Sequence, residues 1–223
     1  LGGRLGYVFF YQPAHYFQNP MDILKLWHGG MSFHGGFLGV VFAAIFYAVK
    51  NKIDLLSLGD LIAISSPPGL LFGRLANFIN AELWGKSTTS DWGMVFPNEV
   101  AKSCPDDWVG ECTRHPSQLY EAALEGLVLW IIMLVLVFCF NSFKRKGEII
   151  CIFLIGYGIS RATIEIFREP DPQFVSELNP NGYIIFIGET FGFSMGQILC
   201  LPMILIGLVF LLTKYFKILK YNL

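Results

Sequence analysis

Long, nearly uncharged stretches constrain the fold of this chain before any motif is considered. They run over about Leu1 to Phe10, Gly35 to Val49, Leu58 to Ile79, Ala122 to Phe140, Ile149 to Phe167 and Met195 to Thr213. Such runs are predicted to be helices in a bilayer, where helices satisfy every backbone group within the segment. Composition points the same way: 54% of residues are hydrophobic, only 15% are charged, and mean hydropathy is +0.53. A soluble domain carries about a quarter charged residues. The expectation is an all-α polytopic membrane protein with about five full transmembrane helices plus one partial N-terminal span. Residues 1–223 are one domain's worth of chain. The sequence opens without Met inside an apolar run, so it is expected to start partway into a longer protein. A net charge of -1 gives no electrostatic support for a nucleic-acid partner.

The connections between runs alternate in charge. Lys50 and Lys52 follow one run, Lys144, Arg145 and Lys146 fill a short turn, and Lys214, Lys217 and Lys220 follow the last. Counting spans puts all three groups on one side, which the positive-inside rule makes cytoplasmic, together with the C-terminus. The segment around Pro13 to Phe33, the loop from about Lys86 to Ser117 and the segment from Arg168 to Ser194 then face outward. Residues 83–118 form the expected periplasmic loop region, about 30 residues on the outer face. Trp27, Trp84, Trp92 and Trp108 sit near that face, as interfacial aromatics do. Cys104 and Cys112 share the loop and can pair if it lies outside the cytoplasm. Cys139, Cys151 and Cys200 read as small core or lipid-facing residues.

Charged residues inside such runs cost a few kcal/mol or more each, so they usually meet a partner, a cavity or a substrate. Arg74 and Asn77 are three residues apart on one helical face, with Asn80 and Glu82 following at the helix end. Arg offers a planar fork of donors suited to phosphate oxygens. The plainer reading is an Arg74–Glu82 ion pair that only stabilises the bundle. Tyr157, Arg161, Glu165 and Arg168 follow a spacing of four, four and three, which makes one polar stripe on a helix. Its alternatives are a self-neutralised seam, with Arg168 merely interfacial, or a positive pocket tuned by carboxylates. His34, before a glycine pair at the outer start of a span, is a candidate proton acceptor or a hydrogen-bonded helix-start residue. In His115–Ala122, Ser117 reads as an N-cap and Glu121 as a first-turn acid, while His115, Gln118 and Tyr120 read as a lining for polar groups. Ser194–Gln197 reads as a helix start. No zinc, nucleophile-elbow or phosphate-loop motif is present, so no metal or cofactor is expected.

Taken in order, Leu1-Gly2-Gly3-Arg4-Leu5-Gly6-Tyr7, Met31–Gly36 with His34, Gly73–Gly85, His115–Ala122, Gly156-Tyr157-Gly158 through Arg168-Glu169-Pro170-Asp171, and Ser194–Gln197 resemble bacterial prolipoprotein diacylglyceryl transferases. The resemblance extends along nearly the whole chain, and the run around Arg74 is its most specific part. It implies a multi-pass enzyme of the bacterial inner membrane. The implied reaction moves the diacylglyceryl group of phosphatidylglycerol to the lipobox cysteine of a preprolipoprotein signal peptide, forms a thioether and releases glycerol 1-phosphate. Membrane lipids are the other implied partners. His34, Arg74, Asn77, Glu82, Tyr157, Arg161 and Glu165 match the family's essential or site-lining positions. Ala81 stands where the family commonly has Gly, and the family's first helix has no counterpart here. On this reading Arg74 and Arg161 hold the phosphate, and His34 takes the thiol proton or positions the thiol. Glu82 and Glu165 orient the arginines, and Asn77 and Tyr157 complete the hydrogen bonds. Asn80 and Arg168 join the substrate-binding set.

Two other classes share some of these features. A transporter or flippase for an anionic solute would also bury arginines in broken helices. It needs access from both sides, whereas the polar residues here gather at one, and no internal repeat is visible. A structural scaffold leaves the tyrosine–arginine–glutamate stripe with packing as its only purpose.

Overall fold

The computed structural model describes the chain apart from residues 11, 12, 26, 28, 105–107, 171–173, 177, 189, 190, 222 and 223, and apart from the side chains of 10, 33, 34, 191 and 215–221. It divides into two compact units, Leu1–Gly59 and Asp60–Leu223. Each apolar run of the sequence contains a helix. Among the described residues, three helices are long and apolar enough to cross a membrane: Leu55–Ile79, Ser117–Phe140 and Met195–Lys214. Gly35–Asn51 is a shorter apolar helix.

The first unit holds α1 (Gly2–Phe10), α2 (Pro13–Gln18) and most of its length in α3 (Phe33–Asn51). α1 crosses α3 where Gly2 and Gly6 face Gly35; a Cβ on Gly35 would lie 2.4 Å from the Gly2 carbonyl oxygen, so only glycine allows this approach. Ser32 caps α3, its hydroxyl accepting from the Gly35 N–H at 3.2 Å. Arg4, almost fully buried, donates to the carbonyls of Asp22 (2.6 Å), Ile23 (3.0 Å), Lys25 and Gly30 (3.2 Å each) and to that of Gly29. One guanidinium thus satisfies the backbone of the segment between α2 and α3.

In the second unit, α4 (Leu55–Ile79) begins in the first unit's last residues and runs on through Pro67 and Pro68. α5 (Ser117–Glu121) continues through a π-helical stretch, Ala122–Val128, into α6 (Leu129–Phe140). α7 spans Glu148–Ile164 and α8 spans Met195–Tyr221. Ala63, Leu129, Met133 and Ile149 form a buried core, with Phe153 and Tyr157 stacked beside it at 5.7 Å between ring centroids. Asn141, with φ of 52°, ends α6 in the left-handed conformation that short polar residues tolerate. Asp60, 1% exposed, then caps α7 from α4: its carboxylate accepts from the N–H groups of Gly147 at 2.6 Å and Ile150 at 2.9 Å.

The chain is mostly helical, but the segment from Arg168 to Ser194, expected to face outward, contains an antiparallel hairpin. Its strands are β1 (Tyr183–Ile187) and β2 (Phe191–Ser194), with Tyr183 opposite Ser194 and Ile187 opposite Phe191. The run Tyr-Ile-Ile-Phe-Ile is β-branched and aromatic throughout, too short for a span and suited to a strand. Ser117 is not an N-cap. It is the first residue of α5, after Pro116, and its hydroxyl donates to the Leu83 carbonyl at 3.2 Å. Ser194 and Gln197, in contrast, form a reciprocal capping box at the start of α8.

Asp60→Ala leaves two helix-start N–H groups without an acceptor and should destabilise the protein by about 2–4 kcal/mol. Thermal unfolding in detergent checks this; an unchanged midpoint would show that Asp60 does not hold α7.

Candidate active site

Three arginines, from α4, from the end of α7 and from the segment just beyond it, converge on one carboxylate in the second unit. Glu121, at the end of α5 and 0% exposed, receives Arg161 Nη1 at 2.6 Å and Arg168 Nη1 at 2.7 Å, both on Oε1. Arg74 Nε lies 3.1 Å from Oε2, an ion pair whose angle falls short of a hydrogen bond. Arg161 also donates to Glu165 Oε2 at 2.5 Å, one helical turn along, and Arg168 Nε stands 3.5 Å from the same oxygen. Glu165 Oε1 accepts from the Ser194 hydroxyl at 3.1 Å, tying β2 to the cluster. Gly196 makes room for this carboxylate: a Cβ there would lie 2.6 Å from it. Glu125, one turn beyond Glu121 and also 0% exposed, has its Oε2 4.0 Å from Arg74 Nη2. Neither of its carboxylate oxygens has a hydrogen-bond partner among the described residues.

The cluster is balanced, three guanidiniums against Glu121, Glu125 and Glu165, which makes its burial tolerable. Its members are not equally occupied. Arg161 and Arg168 are committed to carboxylates, whereas Arg74, 20% exposed, donates no hydrogen bond to any described residue. Its fork stays available for an incoming oxygen pair.

The second polar group excludes the plainer alternative for Arg74. Arg74 and Glu82 do not pair. The Glu82 carboxylate accepts from Asn77 Nδ2 at 2.9 Å and Asn80 Nδ2 at 3.3 Å, and these bonds hold its pKa below the ordinary glutamate value. The α4 helix ends at Ile79, and Ala81 and Leu83 adopt positive φ, so the chain turns and carries Glu82 away from the arginine. Gln118 Nε2 donates to the Glu82 carbonyl at 2.6 Å, fixing the turn to α5. His115 and Tyr120 hold each other, Nδ1 to hydroxyl at 3.1 Å, and pack with Phe167. Burial, then the nearby Lys86 charge, lower the His115 pKa, so its ring is neutral at pH 7. Tyr157 lies on α7 beside the core, and Arg168 is a full member of the cluster rather than an interfacial residue. His34 lies in α3 of the first unit; its side chain is outside the described residues, as is Asp171.

Two supporting residues escaped the sequence reading. Glu121 looked like a helix-start acid, and only the fold shows what it meets. Arg114, buried, donates to the carbonyls of Ala101 and Ser103 at 2.7 Å each and of Gly85 at 3.3 Å, and to Glu169 Oε2 at 2.8 Å. Backbone bonds from Gly85 to His115 and from Lys86 to Phe167 join the same segments. The loop of residues 83–118 is further closed by a Cys104–Cys112 disulfide, with Cα atoms 5.6 Å apart. Beside the cluster lies an apolar groove of about 390 Å³ lined by Trp92, Tyr120, Ala123, Leu124, Ile164 and Phe167, with Thr163. Among the described residues no group of three or more histidines, cysteines or acids is arranged to hold a metal.

A model of the prolipoprotein diacylglyceryl transferase family matches residues 1–213. A phosphatidylglycerol--prolipoprotein diacylglyceryl transferase of Cereibacter sphaeroides is 55% identical over 95% of this chain and 72% of its own length. Those of Ruegeria pomeroyi and Rhodospirillum rubrum are 57% and 51% identical, over 95% and 94% of this chain and 71% and 69% of theirs.

Glu121→Ala leaves two hydrogen-bonded arginines and a paired third without their common acceptor, and should cost about 3–5 kcal/mol. Glu169→Ala removes a 48% exposed partner of Arg114 and should cost about 1 kcal/mol or less. Unfolding midpoints of the two variants check the ranking; equal losses would mean that Glu121 does not organise the cluster.

Proposed function

The chain belongs to the prolipoprotein diacylglyceryl transferase family, and from that premise we propose that it carries out the family's transfer. It takes the diacylglyceryl group of phosphatidylglycerol and joins it to the lipobox cysteine of a preprolipoprotein signal peptide, the first step of lipoprotein maturation. The observation that carries this reading is Arg74, mostly shielded from solvent among paired ions and with its donors in no hydrogen bond to a described residue. An anionic phosphodiester at that fork has both charge and bidentate geometry in its favour. The apolar groove beside the cluster supports the placement of an acyl chain or the apolar signal peptide next to the headgroup.

In the reaction the thiol sulfur forms a bond to the glyceryl carbon that carries the phosphate. The carbon–oxygen bond to phosphate breaks, and its electron pair leaves with glycerol 1-phosphate. Negative charge therefore grows on the phosphate, where Arg74 and Arg161 stabilise it more in the transition state than in the ground state. The thiol, with a free pKa of about 8.5, has to lose its proton, and His34 is the base that takes it or the group that positions the sulfur. Glu165 and Glu121 orient Arg161, Tyr157 and Asn77 complete the polar lining, and Asn80 and Glu82 close the helix end beside it.

The catalytic domain spans residues 1–223, with about five full spans and one partial one. It lies in the bacterial inner membrane with residues 83–118 on the periplasmic side and the C-terminus in the cytoplasm. The basic connections support that orientation. So does the Cys104–Cys112 pair, because disulfides persist in the oxidising periplasm.

Transfer is tested with phosphatidylglycerol vesicles and a lipobox peptide, by mass spectrometry of the peptide cysteine and of released glycerol phosphate. An adduct in the wild type that is lost in Arg74→Ala and reduced about a hundredfold in Arg74→Lys is expected, because lysine lacks the fork. No adduct from folded protein would redirect attention to anion transport. His34→Gln should cut turnover about a hundredfold or more and flatten its rise with pH; normal turnover with an unchanged pH profile would remove His34 from proton transfer.

A further inference from the structure

Outward of the arginine cluster lies a second recess that the transfer scheme leaves unassigned. Its cavity volume is about 110 Å³, room for roughly four waters or one small polyol. Lys86, Glu165, Arg168, Asn181, Tyr183 and Ser194 contribute polar groups to it. The recess is built from three directions: the residue after the Gly85–Arg168 bridge, the end of α7, and the hairpin that leads into α8. Glu165, whose carboxylate also meets Arg161, and Arg168 line it, so the recess shares two residues with the cluster.

Lys86 is the informative residue here. It is half-buried, and among the described residues its ammonium has neither a hydrogen-bond partner nor a carboxylate at ion-pair distance. Glu169, whose charge reaches it, is engaged by Arg114, and Glu165 by Arg161 and Arg168. The cluster's three guanidiniums are matched by three carboxylates. Lys86 is therefore the cation at this site whose charge is not already taken up by a direct partner. An unpaired cation partly removed from water is held at a cost unless something anionic visits it.

We propose that this recess seats the phosphoglycerol headgroup, the part of the lipid that leaves, with Lys86 on the phosphate and Asn181, Tyr183 and Ser194 facing the glycerol hydroxyls. The assignment rests on the transferase reading. The charge change explains why a further cation belongs there. The phosphodiester carries one negative charge. When the carbon–oxygen bond breaks and its electron pair stays on the phosphate, the thiol proton having gone to the base, the monoester carries two. Arg74 and Arg161 act on the growing charge from the cluster side, and Lys86 adds a further cation to it from the recess. The hydroxyl-facing groups give the recess a preference for a polyol over a bare phosphate. The cation disfavours a headgroup that carries its own ammonium.

The test uses the protein in phosphatidylglycerol vesicles, with glycerol 1-phosphate, inorganic phosphate and glycerol as separate inhibitors of transfer. Lys86→Gln is expected to raise the inhibition constant of glycerol 1-phosphate at least about tenfold and to lower kcat/KM for the lipid similarly, with Lys86→Arg restoring most of both. Asn181→Leu should weaken glycerol 1-phosphate and leave inorganic phosphate unchanged. In the unaltered protein, glycerol 1-phosphate should protect Lys86 from an amine-acylating reagent, read by mass spectrometry, a measurement that does not depend on a variant folding. Equal labelling with and without glycerol 1-phosphate, or an unchanged inhibition constant in folded Lys86→Gln, overturns the proposal. Equal protection by inorganic phosphate overturns its polyol part. Absence of any peptide adduct from the wild type would instead contradict the transferase reading, while the labelling result still reports on the recess.

Discussion

A single buried carboxylate, Glu121, organises the second unit's polar interior. Its oxygens meet Arg161, Arg168 and Arg74, which come from the last turn of α7, the segment beyond α7 and the C-terminal part of α4. Bringing three guanidiniums together inside an apolar bundle is unfavourable both by mutual repulsion and by loss of water. One shared acceptor, with Glu125 and Glu165 beside it, reduces both costs. The apolar helices supply the bundle, and the cluster joins α4 and the end of α7 to α5.

The supporting shell extends outward by the same logic. Arg114 ties the loop carbonyls of Gly85, Ala101 and Ser103 to Glu169, next to Arg168. Ser194 joins the hairpin and the start of α8 to Glu165. The disulfide shortens the freedom of the 83–118 loop, which supplies three of Arg114's acceptors. The result is a preorganised cationic surface, which favours charge that develops during a reaction because no reorganisation is needed at that moment. Arg74 is the member with its donors uncommitted, and the apolar groove lies beside the same helices.

Much of this was legible in the sequence. The helices follow from apolar runs, since a bilayer demands continuous apolarity that a soluble fold does not. Arg161, Glu165 and Arg168 were visible as one stripe because a helix repeats every three to four residues. What the stripe meets was not visible. Glu121 reads locally as a first-turn acid, and its role depends on how α5 packs against α4 and α7. The plainer alternative, an Arg74–Glu82 pair, fails for a similar reason: the chain turns after Ile79 through two positive-φ residues, and Glu82 meets Asn77 and Asn80 instead. The hairpin of Tyr183–Ser194 carried a strand signal in its β-branched run, masked by the general apolarity of the chain.

The central claim is that the arginine cluster receives the lipid phosphate. Solid-state NMR distances between the phosphorus of bound phosphatidylglycerol and arginine guanidinium nitrogens, in vesicles that sustain transfer, test it most directly. The account predicts phosphorus within about 4 Å of nitrogens on Arg74 and Arg161, the span of one charged hydrogen bond plus a phosphorus–oxygen bond. Phosphorus remote from both arginines in an active sample would contradict it, and would leave the cluster as a structural device holding the helix ends together.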